Sequence, residues 1–356
     1  MPHLLKNALP VNFIWIGPPS NLPGSSGVVA HDVKALIELW AHPIYENQHQ
    51  ILFWCLDEFV PYYQELLKEY LTGDNPIQVC SIQAYLQEFL EEEYQVDLFY
   101  EETINHDALL VSSFFKLFLK KELSETPIAD RVSCKELFSL FLLRSLGGYV
   151  LDTNVSLSAN TATILPKPEA FVQFMLPASY LITKFKGWMR RVDAQLPWEC
   201  FECWAMYSSG ANEITIPMVR QFIALAGYTQ QGSGLVKLPV LLRNVETYLK
   251  KEELDKYQAS LSSMSATIIR QMVQCARGLP IMSTVTASIR KAKENKSDFF
   301  SPSPSAIKLI KIEKDPEDIR RLIAPELGIV KTYNNTHVPS LESQASAEPP
   351  ASFTPK

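Results

Sequence analysis

Asp152 and Asn154 have the types and spacing that point most directly to chemistry, and they close the segment CKELFSLFLLRSLGGYVLDTN at residues 134–154. A carboxylate and a carboxamide two residues apart project on the same side of an extended segment. Oxygen donors of this kind suit a hard divalent cation, which when half-coordinated clamps a diphosphate. The residues in front of them say how they are held. An apolar helical stretch runs to Leu146, and Gly147 and Gly148 end it, because only glycine enters the left-handed region without steric cost. A short hydrophobic strand follows, so Asp152 stands at the carboxyl end of a buried strand, where open α/β sheets bind ligands. The competing reading is a turn in which both side chains bond nearby backbone.

A second block lies near the amino terminus. Residues 11–19 read VNFIWIGPP, an apolar strand running into a Gly-Pro turn, with Trp15 near its end. After a helical stretch ending at Trp40 comes AHPIYENQHQILFWCLDE, a polar loop and a strand at 51–55 closed by Asp57 and Glu58. The two blocks in this order resemble the sugar-binding region of DXD-type glycosyltransferases. The pattern is similar to that of the bacterial glucosylating toxins and effectors, and of the related fungal mannosyltransferases. The resemblance covers roughly residues 10–60 and 131–158, with a weaker echo at SSGANEITIPMVRQF (208–222).

That resemblance implies an α/β, GT-A-like (Rossmann-like) core with large helical insertions, and assigns roles to particular residues. Trp15 falls where the toxins stack a tryptophan on uracil, and Ile14 beside it joins the nucleotide-binding set. Asp152 matches the aspartate that contacts ribose and sugar hydroxyls. Asn154 takes the place of the direct metal ligand. Glu136 stands where the family has a sugar-binding aspartate, and Ser139 where it has an arginine that contacts sugar and phosphate. The last change removes a bidentate cation that a hydroxyl cannot replace. Arg144, five residues on, faces away from the Ser139 side of the helix. His337, in YNNTHVPSLES, stands where a late histidine joins the metal in many such enzymes, with Asn334 and Ser340 nearby; an ordinary exposed loop histidine is the other reading. Asp57 ends its strand like the family's W-x-x-D, and a helix N-cap role suits it equally.

The implied activity is metal-dependent, retaining transfer of a hexose from a nucleotide sugar, UDP-glucose or UDP-N-acetylglucosamine, with Mn2+ or Mg2+ as cofactor. The implied acceptor is a protein, in the manner of a secreted bacterial effector acting on a host protein. Asn154 and Ser139 favour an alternative: a glycosyltransferase-like scaffold that has lost turnover and acts in binding or regulation.

At 356 residues and 47% hydrophobic content, the chain can bury a large core as one elaborated domain or two joined lobes. A formal net charge of -6 gives no pull toward nucleic acid. Six scattered cysteines form no disulfide framework, and the lone CxxC of Cys200 and Cys203 reads as packing before zinc or redox work. Neither a signal peptide nor a membrane span is expected, which leaves a cytoplasmic protein or one delivered into a host cell. The basic stretch KFKGWMRR, beginning with Lys184 and ending with Arg191, offers either a peripheral contact with phosphate or lipid headgroups or a plain solvated surface.

The periodicity predicts strands at 11–16, 51–55, 77–79, 170–175 and 203–208, and helices at 60–71 and 216–226. Residues 82–146 are predicted helical with a break at SETPIAD, YTQQGSG a loop, and 240–277 and 283–293 helical. Near the end, strands at 307–312 and 328–333 flank a helix starting near Pro316. By domain, 1–9 is an extension and 10–340 the core, with a helical insertion at about 58–146 and a helical carboxyl-terminal part at about 214–295. The proline-rich residues 341–356 have the composition of a disordered tail.

Overall fold

Apolar runs with almost every residue buried build the centre of the protein, as parallel strands covered on both faces require. They are β1 (Leu9–Ile14), β2 (His49–Cys55) and, less completely, β3 (Ile77–Ser81). Side chains alternate between two cores: Leu9, Val11, Phe13, Ile51 and Phe53 enter one, and Ile14, Leu52 and Trp54 the other. The computed structural model describes residues 2–19, 49–71, 77–91, 104–157, 170–175, 202–237 and 307–332 apart from some positions within them, and a few isolated residues such as Leu165 and Val285. The predicted helix before Trp40, the helix at 240–277, the one at 283–293 apart from the helical Thr284 and Val285, KFKGWMRR, Cys200, His337 and the tail lie outside these.

After β2, a 3-10 turn (Asp57–Phe59) leads into α1 (Val60–Leu66), with proline in its first turn. Three helices then lie between β3 and the next strand: α2 (Ile82–Glu91), α3 (Ile104–Phe118) and α4 (Ile128–Ser145). From Leu137 to Arg144, α4 is buried on every side, while its first two turns reach solvent. Its Phe138 meets Trp54 with ring centroids 5.5 Å apart, and its Phe141 meets Phe89 of α2 at 5.4 Å, both edge-on. Each such contact contributes roughly 0.5–1.5 kcal/mol beyond area burial. Gly147 (φ 74) and Gly148 (φ 82) end α4 as the sequence predicts. The Gly147 amide reaches back to the Leu142 carbonyl at 2.9 Å, and a Cβ on Gly148 would strike the Pro10 carbonyl.

The chain then enters β4 (Gly148–Leu151), turns, and forms β5 (Val155–Leu157). It continues through β6 (Val172–Met175), β7 (Glu202–Ser208) and α5 (Met218–Leu225). The main sheet has the order β10-β6-β7-β4-β1-β2-β3, where β10 is Ile307–Ile310, and β7 alone runs against the rest. This mixed α/β sheet, dominated by parallel strands, is consistent with a GT-A-like core. Buried Asn12 ties its centre together: its carboxamide donates to the Tyr149 carbonyl at 2.9 Å and accepts from the Trp54 indole at 2.9 Å. No described helix is long and apolar enough to cross a membrane.

Two expectations fail. YTQQGSG is not a loop but most of a hairpin, β8 (Tyr228–Gln231) with β9 (Gly234–Lys237), joined across two residues of Gly-Ser type. Among the described residues, no helix starts near Pro316. The stretch lies between β11 (Glu313–Lys314) and β12 (Arg321–Ala324), because the alternating burial of RLIA suits pairing with β13 (Ile329–Thr332). These strands and β5 make a second sheet of order β11-β12-β13-β5.

Candidate functional site

From β1 the chain passes to β2 and β3 on one side, then returns to place β4 on the other side of β1. The crevice at such a reversal of strand order, outside the carboxyl ends, is where open α/β sheets hold ligands. Trp15 leaves β1 at this edge and Asp152 leaves β4 beside it. Helix geometry then brings α4 to the same place. Because α4 turns back directly into β4, the ten residue steps of helix from Lys135 to Ser145 rise ~15 Å, close to the ~13 Å climbed by β4 up to Asp152. Lys135 is therefore level with Asp152.

The Lys135 ammonium bonds Asp152 Oδ1, and the Lys331 ammonium bonds Oδ2 at 2.6 Å. Lys331 arrives from β13, whose register pairs it with Val155 just past the Asp152 turn. Burial alone would raise the Asp152 pKa, but Lys135 and Lys331 overcome it and hold the carboxyl at about 2. Glu136 behaves oppositely. Burial pushes it up to about 8 against the pull of Lys135, with the Asp152 charge adding to the rise and Lys331 opposing it. Its Oε2 is buried with no hydrogen-bond partner among the described residues, and desolvation favours the neutral acid there beside the ionised Asp152.

The DTN segment is a turn in its backbone, with the Val155 amide bonding the Asp152 carbonyl at 3.0 Å. Its side chains do not close that turn. Asn154 donates from Nδ2 to the Thr332 carbonyl at 3.0 Å, which leaves Oδ1 buried and without a hydrogen-bond partner among the described residues. Trp15 is partly buried, its backbone amide bonded to the Trp54 carbonyl at 2.9 Å and its indole N–H to the Pro18 carbonyl at 3.3 Å. Gly17 sits between this ring and α4: a Cβ there would lie 3.2 Å from both the indole and Arg131 Nη1.

Other predicted site residues lie differently. Ile14 is buried in the helix-side core, so its side chain is not open to a nucleotide. Ser139 is buried and donates to the carbonyl of Lys135 at 2.8 Å, within its own helix. Arg144 is turned away from the site and pairs with Asp107 of α3. Asp57 neither caps a helix nor turns to the crevice; it accepts a hydrogen bond from Ser81 and so ties β2 to β3. The echo at 208–222 folds as a turn around Asn212, whose Oδ1 accepts the Ile214 amide at 3.0 Å and the Thr215 amide at 3.1 Å. It packs at the amino end of β4, opposite Asp152.

Lys135, Lys331 and Arg131 were not singled out from the sequence. The helix-rise arithmetic above was available for Lys135; Lys331 is fixed only by strand register. These residues, as arranged, do not fit a divalent cation. Both Asp152 oxygens carry ammonium groups, Asn154 has its amide nitrogen committed to backbone, and no cluster of three metal-ligating side chains occurs among the described residues.

No protein-family model matches the sequence, and no curated protein matches it. Among solved structures, the chain is similar to the PaToxG glycosyltransferase, at 11% identity over 80% of this chain and 87% of that one, with a TM-score of 0.34. It is also similar to the glycosyltransferase domain of the YGT toxin, at 8% identity over 85% and 80%, with a TM-score of 0.39. Superpositions this loose assign neither activity nor ligand, which are left to the side chains of the chain itself.

Proposed function

We propose that the protein is a glycosyltransferase that moves a hexose from a nucleotide sugar, UDP-glucose or UDP-N-acetylglucosamine, to a hydroxyl of a protein acceptor with retention. The observation that carries this reading is the meeting, at one sheet crevice, of an aromatic platform (Trp15) with a carboxylate and a protonated acid flanked by lysines (Asp152, Glu136, Lys135 and Lys331). Trp15 stacks on the base, contributing ~1–3 kcal/mol. Asp152 keeps lone pairs beyond those its lysines take and accepts ribose or sugar hydroxyls. Neutral Glu136 donates to the sugar. During transfer the bond from the anomeric carbon to the diphosphate oxygen breaks with its electron pair on that oxygen. The acceptor oxygen bonds the same carbon on the same face and gives its proton to the departing diphosphate. Preorganised charge at the leaving group is the largest contribution such a site can make. The protein acceptor, and a host cell as its setting, come from the sequence resemblance.

One observation favours a second reading, a binding protein without turnover: Asn154 occupies the expected metal-ligand position with its amide turned to backbone. A thermal-shift panel of UDP-glucose, UDP-N-acetylglucosamine and GDP-mannose, with and without Mn2+, tests the shared premise, since a ligand bound only by the native state raises its stability. A rise with a UDP-sugar supports the reading. No shift with any donor overturns it. A shift without donor hydrolysis selects the binding protein.

A further inference from the structure

We infer that Lys135 and Lys331 bind the donor diphosphate in place of a divalent cation, so that nucleotide binding by this protein does not require metal. The inference deepens the nucleotide-sugar reading and rests on it. Two ammonium groups converge on one carboxylate, at the 2.6 Å contact of Lys331 with Oδ2 and the direct bond of Lys135 to Oδ1. The triad carries a net positive charge, and neutral Glu136 beside it adds no second anion. A dication entering here would have to displace both ammonium groups and would meet their repulsion. A diphosphate meets attraction instead.

Geometry adds to the charge count. The Lys135 ammonium has three N–H donors and Asp152 takes one of them, so the residue can hold the carboxylate and a phosphate oxygen together. One helical turn earlier on the same face of α4, Arg131 stands against Gly17 beside the Trp15 indole, with its Nε buried and lacking a hydrogen-bond partner among the described residues. Arg131 near the Trp15 ring, and Lys135 and Lys331 on Asp152, thus place cations at both ends of the region that a diphosphate joining ribose and sugar would occupy.

The test is titration calorimetry of UDP, GDP and uridine, in EDTA and in Mn2+, with wild type, Lys331→Met, Lys331→Arg and Lys135→Met, each checked for its melting temperature. Wild type is expected to bind UDP in EDTA, with Mn2+ changing the affinity less than about threefold. Lys331→Met should weaken UDP in EDTA at least about tenfold, the loss of one charge-assisted hydrogen bond. Lys331→Arg should retain most of the binding, and uridine, which has no phosphate, should be unaffected. Lys135→Met gives the same readout should Lys331→Met fail to fold. Binding of UDP only with Mn2+, or equal binding in EDTA by both methionine variants, overturns the inference and leaves the nucleotide-sugar reading standing. Binding of neither UDP nor GDP under either condition overturns both.

Discussion

Asp107 and Asp152 each sit between two cations, but the cations of Asp107 are Arg144 and Arg220, and those of Asp152 are Lys135 and Lys331. Asp107 has a fully buried side chain among α3, α4 and α5, and burial keeps its pKa above the ordinary value despite Arg144 and Arg220. Asp152 keeps 20% of its side chain exposed and is held well below that value. The residue types suit the two places. A guanidinium is a planar, weakly hydrated fork that fixes helices against one another, whereas an ammonium on a flexible stem can hold a carboxylate and still turn to a ligand. Equal counts of charge therefore make a joint in one region and a site in the other, and burial decides which.

Breaking the joint should give the largest effect. Asp107→Ala removes the fully buried carboxylate from the Arg144 guanidinium, itself 6% exposed, and a loss of about 3–5 kcal/mol is expected. Urea denaturation checks it; a change below ~1 kcal/mol would mean that the helices pack without this cluster. On the site side, Trp15→Ala should cost ~1–3 kcal/mol of nucleotide affinity with the fold intact. Unchanged UDP affinity in calorimetry would remove Trp15 from the base platform.

Glu136 sharpens the comparison through pH. Its folded pKa, about 8, lies above that of an unfolded glutamate, so the folded state holds the extra proton. The stability this gives is complete below the unfolded value and lost as pH rises through about 8. The melting temperature of wild type relative to Glu136→Gln should therefore fall between about pH 5 and pH 8. A constant difference across that range would show an ordinary, ionised Glu136. Asp152 has the opposite sign, its contribution being lost as pH falls from about 4 toward 2. The smallest stability effect is expected for Asp152→Ala, below that of Asp107→Ala by melting temperature, because Asp152 and Lys135 keep 20% and 23% of their side chains exposed while Asp107 and Arg144 keep 0% and 6%. A loss as large as that of Asp107→Ala would make Asp152 a joint as well.

What could be seen in the sequence follows from how local each signal is. The Gly147–Gly148 break was legible because positive φ at two consecutive residues demands glycine, and it fixed Asp152 at a strand end. The strands of the parallel half were legible as apolar runs covered on both faces. Lys135 is within reach of helix-rise arithmetic, since it stands beside Glu136 one sheet-height from the end of α4. Lys331 could not be reached that way. It lies 179 residues from Asp152, and only the register of β13 on β5 brings them together. The β8–β9 hairpin was missed because its Thr and Gln residues hide an alternating pattern. The turn of β11 and β12 was read as a helix start, since proline serves both.

Donor hydrolysis tests the central claim most directly: that the crevice around Asp152 holds the sugar end of a nucleotide sugar. Wild type and Asp152→Ala are incubated with UDP-glucose, UDP-N-acetylglucosamine and GDP-mannose, in EDTA and in Mn2+, and the released nucleotide is quantified beside calorimetry of UDP. Wild type should release UDP in EDTA. The variant should still bind UDP, as tightly or more so with one negative charge gone, yet release it at less than about a hundredth of the wild-type rate. Wild-type release by Asp152→Ala, or neither release nor binding of any donor by wild type, would contradict the claim.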